Sequence, residues 1–72
     1  MKGYVVVLVF EDGAEESKAI FYDEYSAEHY ASTTMKLNKH WETKHGHLKQ
    51  VDVREAYIEI GDVVYTVKRD EV

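Results

Sequence analysis

Four histidines, His29, His40, His45 and His47, are the first side chains with the chemistry for a metal site or a proton relay. A zinc site needs three or four converging ligands, and thiolates are excluded because the chain has no cysteine. His29 and His40 stand eleven residues apart, about 16 Å along a helix. His40 and His45 pair poorly on a helix, and His45 and His47 straddle Gly46. No HExxH spacing or histidine tract occurs in the sequence. The spacing implies no metal. It assigns His45 and His47 to a helix end, and His29 and His40 to surface or dimer contacts.

Ser26, Ser32, Thr33 and Thr34 near His29 invite a nucleophile and base reading. A catalytic serine needs an oriented base, oxyanion donors and a pocket, and helix capping accounts for Ser26 by itself. A paired-carboxylate sugar cleft has little room in 72 residues. No glycine-rich phosphate loop follows the first apolar run, and Glu11, Asp12, Glu15 and Glu16 there would repel phosphate. The residues therefore point to no catalytic, metal or cofactor site, and to a non-enzymatic binding protein.

Charge sets the class of partner. The chain carries 14 acidic and 9 basic residues, a formal charge of −5. Residues 1–28 hold Glu11, Asp12, Glu15, Glu16, Asp23, Glu24 and Glu28 against Lys2 and Lys18. Residues 51–72 hold Asp52, Glu55, Glu59, Asp62, Asp70 and Glu71 against Arg54, Lys68 and Arg69. The middle is basic, with Lys36, Lys39, Lys44 and Lys49 against Glu42, but it lacks the arginines that lead base readout and stacking. Direct nucleic-acid binding by the Lys- and His-bearing helix is thus the second reading, and a structural or assembly subunit with no basic partner is the third. The first is a basic protein partner met by carboxylates on the flanking hairpins, whose field would steer association.

The elements that must position these groups follow from periodicity. Tyr4 to Phe10 reads as a strand, apolar on both faces, which asks for cover on both sides. The run is too short to cross a bilayer, and no membrane role is expected. Asp12-Gly13 makes a turn, and Ser17 to Asp23 reads as the second strand. Ser26 caps a long helix that runs to about His45, with Ala27, Tyr30, Thr34, Leu37 and Trp41 as its stripe, Leu48 in phase beyond its end, and Ala31 and Met35 widening it. Glu28, Ser32, Lys36, Lys39 and Lys44 lie away from the stripe, and Gly46 suits the helix C-terminus. Lys49 to Ile60 alternates but slips phase between Val51, Val53 and Ala56, Ile58, Ile60. Either a bulge near Arg54-Glu55 keeps both sets on one face or each set faces a different layer. Gly61-Asp62 turns the chain into a last strand, Val63 to Lys68, with Val63, Tyr65 and Val67 on one side, and Asp70 to Val72 fray.

The expected fold class is α+β with the order β-β-α-β-β: two hairpins forming a four-stranded, largely antiparallel sheet, joined by one long helix. A domain this small leaves much of its surface unburied. One helix cannot cover both sides of the first strand, so a homodimer is expected to hide Tyr4, Val6, Leu8, Phe10, Ile20, Tyr22, Tyr30, Leu37 and Trp41 between core and interface. The absence of cysteine suits a cytoplasmic, reducing compartment.

The size, element order and acidic hairpins resemble small phage-encoded inhibitors of host proteins. Within that group they are similar to DNA-mimicking inhibitors of nucleoid-associated proteins of the HU type. That resemblance implies a homodimer in the host cell cytoplasm, whose carboxylates occupy the basic DNA-binding surface of the host protein. Glu11, Asp12, Glu15, Glu16, Asp23 and Glu24 would carry it, with Asp52, Glu55 and Glu59 behind them.

Overall fold

The structure, a computed structural model, describes residues 2–38, 40–59 and 62–67. The expectations for Lys39, Ile60, the Gly61 turn, the faces of Val63, Tyr65 and Val67, and residues 68–72 lie outside the described residues and side chains. The fold is α+β. Strands β1 (Lys2–Phe10) and β2 (Glu15–Phe21) form the first hairpin; helix α1 (Glu24–Asn38) follows; then come β3 (Glu42–Thr43), β4 (Gly46–Glu59) and β5 (Asp62–Val67). All pairings are antiparallel, in the order β2-β1-β4. The two-residue β3 and β5 both line the far edge of β4, which pairs with β3 at 46–47 and with β5 at 55–59.

The helix starts earlier and ends sooner than its apolar spacing suggests. Asp23, not Ser26, is the cap: its Oδ2 accepts the Ser26 N–H at 2.8 Å, serving an amide that would otherwise be orphaned. At the other end the Asn38 amide donates to Thr34 O at 2.9 Å, and the Trp41 N–H folds back onto Asn38 O. These bonds satisfy the last turn and release the chain. Leu37 and Trp41 therefore do not extend a buried stripe: Leu37 is 78% exposed, and Trp41 lies past the helix. Gly46 is not the helix C-terminus; its φ of +90° serves the β3–β4 turn. The buried face is Ala27, Ala31 and Thr34. Such small side chains let the helix axis come close to the sheet.

The helix covers one side of the sheet. Val6 packs with Ala27, Ala31 and Val53, while Tyr4, Ala19, Phe21, Tyr30 and Val51 crowd the same cluster. Leu8, Phe10 and Leu48 continue it, beside Met35. The β1–β4 register runs without a break from Tyr57 to Gln50. Of the two readings of β4, the bulge near Arg54-Glu55 is absent from its pairing with β1, and the strand is continuous with its two apolar sets facing different layers. Val51 and Val53 look to the helix, whereas Ala56 and Ile58 join Val5 and Val7 on the opposite side.

That opposite side is closed within one chain, so a second copy is not needed to hide it. Val5 is 0% and Val7 4% exposed. Arg54 on β4 forms a forked ion pair with Glu15 on β2, Nη1 to Oε1 at 2.9 Å and Nη2 to Oε2 at 3.0 Å. Strand β1 lies between those two strands. Arg54 is paired with Val5 and Glu15 with Val9, so the side chain must cross β1 at Val7. Asp52 accepts a further bond at 3.0 Å. The Arg54 side chain is only 16% exposed, its methylenes shielding valine and its head hydrogen-bonded at the surface. The Glu15 hydrogen bonds push its pKa above the usual arginine value, against the opposing effect of burial. At one end Ile58 lies over Gly3, where any Cβ would overlap it.

Shielding of Val7 by the arginine stem is separable from its charge. Arg54→Ala is expected to lower stability by about 2 kcal/mol. Arg54→Met, which keeps an apolar stem, should recover about half of that. Urea denaturation of both variants checks this, and equal losses would refute the cover.

Candidate functional site

Two turns meet at one end of the sheet, and they consume two of the expected partner-binding carboxylates. The Glu11 N–H donates to His47 O at 3.1 Å, and Glu11 Oε1 accepts the His47 N–H at 2.9 Å. The Asp12 N–H donates to His45 O at 3.3 Å. Asp12 Oδ1 accepts the Ala14 N–H, and its Oδ2 meets His45 Nδ1, each at 2.8 Å. Phe10 packs against the rings of Trp41 and His45 beneath this junction. The φ of +90° favours glycine at residue 46, and a Cβ there would stand 2.8 Å from Glu11 Oε1 and push that carboxylate off the His47 N–H. His45 and His47 thus belong to this junction and not to a helix end.

The other expected carboxylates divide in the same way. Glu15 and Asp52 hold Arg54, and Asp52 also accepts from Gln50 at 2.8 Å. Glu55 pairs with Lys2 at 3.0 Å. Asp23 caps the helix. Glu16, Glu24 and Glu59 are exposed. The nine do not form one face; two of them, Glu15 and Asp52, converge on a single cation that sequence spacing gave no reason to place between them.

A narrower acidic region remains. From Glu11 to Met35 the chain holds seven carboxylates and one lysine, Lys18. This surplus of six exceeds the whole chain's net −5. The segment builds the first turn, the outer strand β2 and most of α1. Glu11 and Asp12 of that turn meet the β3–β4 turn and Glu15 meets Arg54, so the exposed carboxylates next to β2 are Glu16 on the strand and Asp23 and Glu24 just past its Phe21 end. Strand β2 has β1 as its neighbour and no second strand among the described residues. Its register shifts between Val6 and Val7, leaving Lys18 as an extra residue. A bulge with a lysine blunts an edge against unwanted strand pairing.

Beside this edge lies a groove of about 380 Å³, lined by Phe21, Tyr25, Ser26, His29, Tyr30 and Thr33. Phe21 and Tyr30 pack with ring centres 5.3 Å apart; Tyr25 and His29 stack nearly parallel at 6.4 Å. Tyr25 is 81% exposed. Ile20, Tyr22 and Leu37, expected in the core or an interface, are also exposed. They lie on β2, just past it, and on α1. Sequence reading placed Tyr30 in the core stripe and passed over Tyr25. The Tyr25 and His29 spacing of four residues on one helix face was the available signal.

No group of three or more metal-ligating side chains occurs among the described residues. No described helix is long and apolar enough to cross a membrane. No family model, curated protein or solved structure matches the chain.

The junction carries a pH signature. The Ala14 N–H, and after it His45, hold the Asp12 carboxyl below its ordinary range. A depressed carboxylate stabilises the fold above its unfolded-state pKa, and that contribution fades as pH falls through the folded-state value. Asp12→Asn should therefore be less stable than wild type at neutral pH, with the gap closing below about pH 4. Urea midpoints measured across that range test it.

Proposed function

We propose that this domain is a non-enzymatic binding protein that captures a basic partner through its β2 side. The observation that carries the reading is a cluster of exposed carboxylates, Glu16 on β2 with Asp23 and Glu24 at the start of α1, near exposed Tyr22 and Tyr25, in a segment from Glu11 to Met35 whose acids outnumber its bases by six. Exposed aromatics within a charged field form the usual anchors of protein interfaces. The partner class that such a field attracts is a nucleic-acid-binding protein, whose phosphate-binding lysines and arginines would meet carboxylates in place of phosphates. Occupying that surface would block nucleic acid, which makes the domain an inhibitor and a DNA mimic. Glu16 and Glu24 are the central carboxylates; Glu11, Asp12, Glu15, Asp52 and Glu55 act mainly in the fold. A second copy of this chain is a poorer match for the same side, because exposed Glu16 and Asp23 would face their own kind.

Displacement of labelled duplex DNA from a purified HU-type protein tests this. The domain should release the DNA, with an apparent affinity that falls steeply with salt. Glu16→Lys with Glu24→Lys should weaken it at least tenfold. Salt-independent displacement, or none, would overturn the reading. A mobility shift of DNA by the domain alone would instead support the lysine-based alternative. Light scattering of the free domain reports whether it self-pairs.

A further inference from the structure

Resting on the acidic-edge reading, we propose that the groove between α1 and the Phe21 end of β2 receives an arginine side chain of the basic partner. Three observations converge on this residue type. The walls are aromatic: Phe21 with Tyr30, and Tyr25 stacked on His29. Rings attract a cation over their faces, and guanidinium, being planar, stacks on them. The lining includes hydroxyls from Ser26, Thr33 and the tyrosines but no carboxylate. A compact ammonium would surrender strong hydration there without a charged acceptor to replace it. Guanidinium is more weakly hydrated and tolerates such a site, its five N–H donors reaching hydroxyls at the rim.

The surrounding charge supplies the rest of the match. Asp23 and Glu24 stand at the helix end of the groove, where they offset the positive pole of α1 that would oppose a cation. Glu15 and Glu16 lie at the other end of β2. The field thus draws a cation to the edge, and the aromatic slot selects which cation stays. The groove sits at the small end of ligand-pocket volumes, suited to one long side chain. The Lys18 bulge discourages a full added strand, so a single inserted side chain is the contact this edge permits.

Nitrogen-15 NMR titration at fixed ionic strength tests the inference, using three acetylated, amidated peptides, Gly-Arg-Gly-Arg-Gly and its lysine and citrulline counterparts. The arginine peptide should bind about threefold tighter than the lysine peptide, with shifts centred on the Phe21, Tyr25, His29, Tyr30 and Thr33 amides. The citrulline peptide, which keeps the shape but loses the charge, should bind more weakly than either. Tyr25→Ala changes an exposed residue and should keep the thermal unfolding midpoint. It should erase the arginine preference while leaving the salt dependence intact. Glu16→Lys with Glu24→Lys should weaken the arginine and lysine peptides alike. Equal affinities, with shifts at Glu16 and Glu24 and a silent groove, would overturn the arginine slot and leave the acidic-edge reading standing. Binding of neither cationic peptide would overturn both.

Discussion

The structure turns on one side chain laid across a strand. β1 is apolar on both faces, and a single helix has only one face of the sheet to cover. Arg54 resolves the second face by reaching from β4 over Val7 to Glu15 on β2. Its methylenes exclude water from the valines, while its forked head meets two carboxylates near the surface. The fork also ties the outer strand to the third one, so the hairpin of β1 and β2 cannot splay from β4 without breaking it. An aliphatic residue could cover the valine but would leave a sticky face. Arginine covers it and presents a wetted, charged exterior.

The same economy governs the acidic residues. In a chain with a large carboxylate excess, each acid can serve either the fold or the outside. Those opposite backbone donors or cations serve the fold: Glu11 and Asp12 at the turn junction, Glu15 and Asp52 on Arg54, Glu55 on Lys2, Asp23 on the helix end. Exposed pairs of this kind contribute modestly one by one. Their combined effect is geometric: they set which turn packs on which, and they neutralise the rest of the surface. Glu16 on β2 and Glu24 at the start of α1 stay at the surface.

The β2 side combines a blunted strand edge, an aromatic groove and a negative field. Each alone is ordinary on a protein surface. Together they are the features from which we propose a contact with a cationic side chain that can also lie against rings. Tyr25, 81% exposed, stacks on His29 and forms the outer wall of the groove.

Much of the fold was legible in the residues. The β-branched run of β1, the Asp12-Gly13 turn and the alternation along β4 depend on local sterics and a period of two, which sequence displays directly. The order of the two hairpins and the helix could likewise be read, whereas the phase of β4 near Arg54 stayed open between a bulge and a continuous strand, and the short β3 fell inside the expected helix. The helix ends could not be read as well. Asp23 competes with Ser26 for the cap, and Asn38 with any helical continuation, and only the bonds actually formed decide such contests. The charge excess was plain from composition, but its division was not. Whether Glu15 faces a partner or Arg54, thirty-nine residues away, depends on which strands become neighbours. Long-range pairing between residues far apart in the chain has no local signature. For that reason tertiary structure alone closed the second face of β1, drew six of the nine expected partner-binding carboxylates into the fold, and left the groove beside β2 open.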